Sequence, residues 1–293
     1  MGMAIVWLST TSPWAWAGSL TPGDILVSST TDLQTSVLRE YTPTGTLVQT
    51  FLVPIAPGGD AYSRGIATDV SGNVQIYNGT FSPNLTTLKP SGAGSFSNHT
   101  FSGWSTINDT YFGGVVVNGK YAYATDMATV NTGGSPNGIV RFDLTNFSAT
   151  RFASGPANGS GDYTTVGLGL NGKLYAPWPG GSPVGDNIDV INPVTMTKTT
   201  ITLPFLFQVS GITADSAGNI YAVGALGDGH IYKLDSNGNV LAEISTGFTG
   251  LTGLQISNSG QLLTASNGGE VILTNTSFSQ SELFQCRLTN HHL

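Results

Sequence analysis

Six glycine-centred turns at nearly constant intervals predict an all-β chain folded as a six-bladed β-propeller with four-stranded blades. Successive turn glycines are 49, 47, 53, 46 and 42 residues apart, and they are Gly23, Gly72, Gly119, Gly172, Gly218 and Gly260. A period in the forties, built from short apolar strands and turn residues, is typical of a propeller with one blade per repeat. We therefore expect blades centred near residues 36, 83, 134, 185, 230 and 271.

Two further marks recur in phase with these turns. A short apolar strand that begins with glycine precedes five of them, at residues 65–67, 114–117, 167–170, 211–214 and 253–256. Small residues suit the innermost strand of a blade, because the blades crowd toward the central channel. About twenty residues after each turn glycine a second turn follows, such as Asn237-Gly238, which is typical of a hairpin between alternating strands.

The first repeat departs from this pattern. Too few residues precede Gly23 in the expected mature chain for a strand and its turn, so we expect the first blade to lack its own inner strand. Residues 285–293 are the candidate to fill the gap from the other terminus, although Arg287, His291 and His292 are poor inner-strand residues. An unfilled edge invites pairing with another chain, so self-association through the first blade is a further expectation.

Composition indicates a single domain without a nucleic-acid partner. Only 9% of the 293 residues are charged, and the net charge is −7. The 10 Lys and Arg residues are scattered singly, which disfavours binding to nucleic acid or to anionic lipid. After the N-terminal segment, no apolar run reaches the roughly 20 residues that a transmembrane helix needs.

The N-terminal segment has the form of a secretory signal. An apolar stretch over residues 3–8 is followed by Ala15-Trp16-Ala17, a small-x-small pattern typical of a signal-peptidase site. No Lys or Arg precedes Arg39, so the usual basic start is missing, and a frayed apolar terminus is the alternative interpretation. We expect residues 1–17 to be removed, leaving a single propeller domain over 18–293 in a secreted, periplasmic or extracellular protein.

Two repeats carry a resemblance to known proteins. Residues 65–74 and 211–221, together with the following stretch 231–239, resemble NHL-type repeats. The chain is thus similar, at the level of fold, to the six-bladed propeller superfamily that includes NHL, SMP-30-like gluconolactonase and streptogramin-lyase-like proteins. This scaffold hosts lactonases, lyases and pure binding modules, so the resemblance by itself does not assign a chemistry.

The resemblance implies where catalytic residues would lie. Catalytic members place acidic residues, histidines and a divalent metal at the mouth of the central channel. Here the glutamates fall on third or outer strands, at Glu40, Glu243, Glu270 and Glu282. No catalytic residue, metal site or cofactor is therefore expected. Aspartates that precede the glycine turns or lie in hairpins, Asp69, Asp215 and Asp235, are interpreted as turn formers rather than as metal ligands.

The longest predicted loops lie on one face of the propeller, and they supply the candidate ligand-binding residues. Trp178, held between two prolines, could present its indole for stacking or could simply cap its own blade. Arg64 precedes an inner-strand glycine, where it could bind an anionic group or pair with an acidic residue such as Asp60. Asp126, Tyr163 and Asp186 are expected on the same face as polar contacts.

Two functions of different class fit these observations. The first is a secreted, non-catalytic propeller that acts as a binding or extracellular structural module for a protein or glycan partner through its long-loop face. The alternative is a metal-dependent lactonase or lyase of the six-bladed class, with a divalent metal such as calcium held by loop residues. The missing acid and base clusters favour the first function.

Overall fold

The computed structural model describes residues 3–7, 20–32, 35–54, 63–78, 84–90, 96–99, 113–126, 138–155, 163–179, 186–204, 208–224, 226–278 and 281–285. Within them, 24 strands form six antiparallel four-stranded sheets arranged in a ring. The chain is a six-bladed β-propeller.

Each blade consists of four strands that follow one another in the chain, as predicted. Blade 1 contains β1 (Met3–Trp7), β2 (Ile25–Asp32), β3 (Thr35–Tyr41) and β4 (Leu47–Val53); blade 2 contains β5 (Ser63–Thr68), β6 (Val74–Asn78), β7 (Asn84–Leu88) and β8 (Phe96–His99). Blade 3 contains β9 (Val115–Asn118), β10 (Tyr121–Asp126), β11 (Gly138–Asp143) and β12 (Ser148–Ser154); blade 4 contains β13 (Gly167–Leu168), β14 (Leu174–Trp178), β15 (Asn187–Ile191) and β16 (Lys198–Thr202). Blade 5 contains β17 (Val209–Ala214), β18 (Ile220–Gly224), β19 (His230–Leu234) and β20 (Val240–Ser245); blade 6 contains β21 (Leu251–Ile256), β22 (Gln261–Ser266), β23 (Glu270–Asn275) and β24 (Ser281–Gln285).

The first strand of each blade is the inner one. β5 lies against β9, β13 against β17, and β17 against β21, while β1 lies between β5 and β21 and so completes the ring. Among the described residues no helix is present, and hence none of a length and apolarity that would span a membrane.

The turn glycines repeat because the backbone needs them. All six have a positive φ, between 62° and 96°. Glycine adopts this left-handed conformation without the steric cost that a Cβ imposes. In blades 2 to 6 the conformation closes the tight hairpin from the inner strand to the second strand, and in blade 1 it forms the turn just before β2. The periodicity of the sequence therefore follows from the periodicity of the blades.

The glycines that open the inner strands answer a different need, which is close approach between blades. A Cβ on Gly65 would lie 2.5 Å from the backbone nitrogen of Val115, and one on Gly211 would lie 2.6 Å from the carbonyl carbon of Gly253. In both cases the obstacle is the inner strand of the next blade. Only glycine lets the inner strands converge on the axis.

The core is distributed between the blades, because each sheet buries side chains on both of its faces. Leu26 and Leu38 of blade 1 pack with Ile66 and Ile76 of blade 2. On the other face of blade 1, a cluster formed with blade 6 contains Ile25, Val27, Tyr41, Leu263, Ala265, Val271 and Leu273. Adjacent residues of β2 therefore contact different neighbouring blades, because successive side chains of a strand point to opposite faces of the sheet.

The expectation for the first blade needs correction. This blade is not without an inner strand in the full chain, because Met3–Trp7 pairs along β2 from Met3 opposite Ser29 to Trp7 opposite Ile25. Gln285 belongs to the outer strand of blade 6, and residues 286–293 lie outside the described residues. A short uncharged apolar run has the same composition in a signal segment and in a buried strand, which is why the sequence did not distinguish the two.

Candidate binding face

The long connections of the propeller lie at one end of the ring, as the sequence predicted. Because neighbouring strands are antiparallel, the connections that follow second and fourth strands all lie at the same end of the sheets. We call this end the loop face. It carries connections 54–62, 100–114, 127–137, 155–166 and 179–186. At the opposite end, the turn face, all hairpins are short apart from connection 8–24.

The loop face is lopsided. Its long connections belong to the part of the ring between the end of blade 1 and the middle of blade 4. On blades 5 and 6 the corresponding connections are short and span 225–229, 246–250 and 267–269. A ligand that contacts several long loops must therefore lie over blades 2 to 4, away from the axis of the ring.

Hydroxyl groups at the loop end of the ring join three pairs of neighbouring blades. The Thr164 hydroxyl donates to the carbonyl oxygen of Val209, and the Ser210 hydroxyl donates to that of Leu251 at 2.5 Å. In the same manner the Tyr77 hydroxyl donates to a carbonyl of blade 3 at 3.3 Å. These three hydroxyl groups are thus already hydrogen-bonded within the protein.

For Arg64 and Asp126, the backbone pairing of their strands gives their position on the loop face. Arg64 lies in β5 at a β-bulge, since the pairing with β6 passes directly from Ser63 to Gly65. Ser210 occupies the equivalent bulge of blade 5. Bulges commonly re-aim a side chain at the end of a sheet, and Ser210 illustrates this by reaching the next blade. Asp126 is the last residue of β10 and pairs with Gly138, which places it where connection 127–137 begins.

Tyr163 lies inside the protein. Its side chain is fully buried, and its hydroxyl donates to Oδ2 of Asp189 at 2.6 Å. Asp189 is 1% exposed and also accepts from the Thr200 hydroxyl at 2.6 Å, while Nζ of Lys198 lies 2.9 Å from its Oδ2. A buried carboxylate is stable only when it is paired and hydrogen-bonded in this way.

The acid–base properties of this group follow from its contacts. Burial opposes ionisation of Asp189, but the hydrogen bonds from Thr200, Tyr163 and Lys198 outweigh it and hold the pKa of the carboxyl below its usual value. Burial, reinforced by the Asp189 carboxylate, raises the pKa of the Tyr163 hydroxyl. The hydroxyl is therefore a donor that stays protonated and fixes the carboxylate in place.

Asp186 also has an internal partner. It is 2% exposed, and its Oδ2 accepts from the backbone nitrogen of Val209 at 2.8 Å. Burial raises the pKa of this carboxyl, and the bond from Val209 opposes the shift in part. Asp186 therefore joins the start of the third strand of blade 4 to the inner strand of blade 5.

Trp178 is the described candidate that faces outward in part. It ends β14, pairs with Asn187, and packs half-buried against the cluster between blades 3 and 4 that contains Tyr163. Its ring therefore continues the packing of its own blade, and its position in a ladder was not expected from the flanking prolines. Among the residues that the structure describes, its Nε1 has no hydrogen-bond partner.

The structure thus gathers three of the candidates in one place. Tyr163, Trp178 and Asp186 all lie at the loop end of blade 4, whereas Arg64 and Asp126 mark the same face on blades 2 and 3. Whether these residues contact a ligand stays a prediction. Their geometry divides them into buried side chains that position the face and residues at strand ends that border the long connections.

The aspartates of the turns have the structural role that the sequence indicated. Oδ1 of Asp69 accepts from the backbone nitrogens of Ser71 and Asn73, at 2.9 and 3.0 Å. Asp215 and Asp235 make the equivalent bonds in their own turns. Within the described ranges, no group of three or more His, Cys, Asp or Glu residues is placed to hold a metal ion.

Sequence reasoning missed a buried pair of carboxyl groups in blade 1. Glu40 is fully buried, and its carboxylate accepts from the backbone nitrogen of Thr21 at 2.5 Å and from the side-chain amide of Gln49. Burial together with the charge and hydrogen bond of Glu40 raises the pKa of Asp24 to about 6. The two groups are distant in sequence and meet only through the β2–β3 register, so no local signal marked them.

The channel also has an apolar end. A cavity of about 160 Å³ lies between the inner strands, mostly lined by aliphatic side chains such as Val117, Leu168 and Ile256. Its lining extends to Leu170, just before a turn glycine, so it opens toward the turn face and away from the candidate residues.

Comparison with known proteins extends the resemblance to structures. No family model and no curated protein matches the chain. Virginiamycin B lyase from Staphylococcus aureus has a TM-score of 0.60 at 12% identity, over 98% of this chain and 89% of that one. A gluconolactonase from Xanthomonas campestris has 0.58 at 13% identity, over 90% and 81%. The likeness is one of fold. The Dos1 propeller, of which this chain spans 66%, has a TM-score of 0.51 at 12% identity over 89% of this chain.

Proposed function

We propose that the chain is a secreted binding or extracellular structural module without catalysis of its own, which holds a protein or glycan partner on the loop face over blades 2 to 4. One observation carries the proposal. Several described polar groups at the loop end are occupied by bonds within the protein, as the Tyr163–Asp189 and Asp186–Val209 pairs illustrate. Groups so engaged act as scaffold and are poorly placed to transfer protons to a substrate.

Trp178 supplies the central contact of this proposal. Its ring is fixed by the β-ladder and by packing against the cluster between blades 3 and 4, so little conformational entropy is lost when a partner stacks on it. Its Nε1 is buried, so contact with a partner depends on the part of the ring that is exposed. An exposed aromatic face suits stacking on a sugar ring or a planar side chain.

The remaining candidates fill two roles. Arg64 and Asp126 border the long connections and supply one charge of each sign. Tyr163 and Asp186 position the end of blade 4 through their internal bonds. The net charge of −7 disfavours a polyanionic partner and favours a neutral glycan or a protein surface.

The test is binding to an array of neutral oligosaccharides and to candidate secreted proteins, with Trp178→Ala combined with Arg64→Ala. We expect the double variant to lose binding while its circular dichroism still shows the folded propeller, although its melting temperature falls because Trp178 packs against the cluster between blades 3 and 4. The matched control is Leu226→Ala, since Leu226 is 80% exposed on the same face but on blade 5. Equal loss of binding in both variants would refute the location.

Evidence of enzyme activity would refute the proposed binding function. Stoichiometric calcium or zinc in the purified protein, or lactone hydrolysis or lyase turnover that disappears in Asp126→Asn, would establish the metal-dependent alternative.

A further inference from the structure

The inner strand of blade 1 and the predicted signal segment are the same residues. Met3–Trp7 pairs with Ile25–Ser29 of β2, and the Ala15-Trp16-Ala17 motif lies in the connection between the two strands. Cleavage after Ala17 would therefore separate β1 from the rest of the blade. The edge of β2 that β1 covers would then have free backbone donors and acceptors.

The strands that border the space left by β1 would stay in place. β1 lies between β5 and β21, which belong to the two neighbouring blades. Blade 1 is held to blade 2 by Leu26 and Leu38, and to blade 6 by Ile25 and Val27. These side chains belong to β2 and β3, so the contacts persist when β1 departs and the ring retains an open slot.

One buried group beside this slot lacks a hydrogen-bond partner among the residues that the structure describes. Ser28 is fully buried, and among the described residues its hydroxyl has no hydrogen-bond partner. It is paired with Ala4 of β1 in the ladder. A Ser or Thr at that ladder position of a bound strand would supply a hydroxyl to pair with Ser28, as cross-strand Ser and Thr pairs do.

We infer that cleavage converts blade 1 into an acceptor for a β-strand of another polypeptide. The occupant is an extended, uncharged segment of about five residues that pairs antiparallel to β2, a recognised mode of peptide binding. It carries a Ser or Thr opposite Ser28 and apolar residues beside it, because the residues of β2 that face it, Ile25–Ser29, are uncharged. This site is independent of the loop face.

The experiment uses the full chain with a specific protease site inserted between Ala17 and Gly18. After cutting and removal of the released segment, fluorescence anisotropy measures binding of three labelled peptides: the sequence of residues 3–7, its Ala4→Ser analogue, and its Ile5→Pro analogue. We expect the first to bind, the Ser analogue to bind roughly two- to tenfold more tightly, and the Pro analogue not to bind, since proline removes a ladder donor. Uncut protein is expected to bind none of them.

A second protein variant assigns the gain to Ser28. In cut Ser28→Ala protein, the advantage of the Ser peptide is expected to vanish while the parent peptide still binds, which is the pattern of a double-mutant cycle. Trp178→Ala should leave all three affinities unchanged, so failure of this proposal is distinguishable from failure of the loop-face function.

Three results would overturn the inference: a secreted protein whose N-terminus still includes residues 1–17, a folded cut protein that ignores the parent peptide, or a Ser advantage that survives in Ser28→Ala. If the cut protein unfolds, uncut Ile5→Pro protein replaces it, because its own strand is weakened while the clusters that hold blade 1 remain. Failure of that folded variant to bind the parent peptide would likewise refute the acceptor slot.

Discussion

Replacing Tyr163 by Phe tests whether this residue belongs to the scaffold of blade 4. The change deletes one hydroxyl and leaves the ring in its fully buried position. What is lost is a 2.6 Å hydrogen bond to Asp189, a carboxylate that is itself 1% exposed. Hydrogen bonds to charged groups contribute about 1.5–3 kcal/mol, and Asp189 retains Thr200 and Lys198 as partners, so we expect a loss of about 2 kcal/mol.

The assay is urea unfolding at pH 7, supported by thermal unfolding. For a chain of this size the expected loss corresponds to a fall in melting temperature of roughly 4 °C. Tyr232→Phe is the matched control, because it deletes a 2.8 Å bond to Asp228, whose side chain is 55% exposed. Water replaces that bond, so the control is expected to lose less than about 0.5 kcal/mol.

The pH dependence gives an independent check on the same contact. The folded-state pKa of Asp189 lies below its ordinary value, so its stabilising contribution is present at neutral pH and is lost as the pH falls through the folded pKa. The difference between parent and Tyr163→Phe should therefore be complete at pH 7 and shrink below about pH 4. A difference no larger than that of Tyr232→Phe, or one that does not change with pH, would refute the reasoning.

Two further predictions concern blade 1. Ser28→Ala should leave the full chain equally stable or more stable by about 1 kcal/mol, because it removes a buried hydroxyl that has no partner among the described residues. Ser36→Ala is the control and should destabilise the protein, because it breaks a buried pair of hydroxyl groups. If urea unfolding shows that both substitutions destabilise the protein, or that both stabilise it, the assignment is contradicted. Asp24→Asn should stabilise the protein at pH 8 by at most about 3 kcal/mol. The pKa of Asp24 in the folded protein is raised to about 6, so the parent is expected to lose stability as the pH rises from about 4 to 6. Unfolding curves of the parent that show no such loss would contradict a raised pKa of Asp24.

Much of the fold was predictable because its recurring elements depend on glycine. The left-handed turn at Gly218 and the close approach at Gly211 each require a residue without a Cβ, so the requirement is visible in the sequence. Asp215 was likewise recognisable as a turn former, because its partners are its own neighbours in the chain. Structural requirements that involve only neighbouring residues can therefore be recognised in the sequence.

The contacts that the sequence did not reveal are all non-local. Glu40 was expected on a third or outer strand and lies on the third strand of blade 1, but only the register of β3 with β2 brings it close to Asp24. In the same way, the hydrogen-bond partner of the buried Tyr163 hydroxyl is Asp189 on β15, which is 26 residues away in the chain. Met3–Trp7 was assigned to a signal because nothing in five apolar residues tells a membrane-targeting segment from an inner strand.

The bonds from Thr164 to Val209 and from Ser210 to Leu251 determine which side chains at these contacts can be replaced. In each bond the acceptor is a backbone carbonyl, so the receiving blade contributes no particular side chain. A substitution at Val209 or Leu251 therefore leaves the acceptor in place, whereas loss of the Thr164 or Ser210 hydroxyl removes the bond. Each of these hydrogen bonds thus depends on the sequence of one of the two blades only.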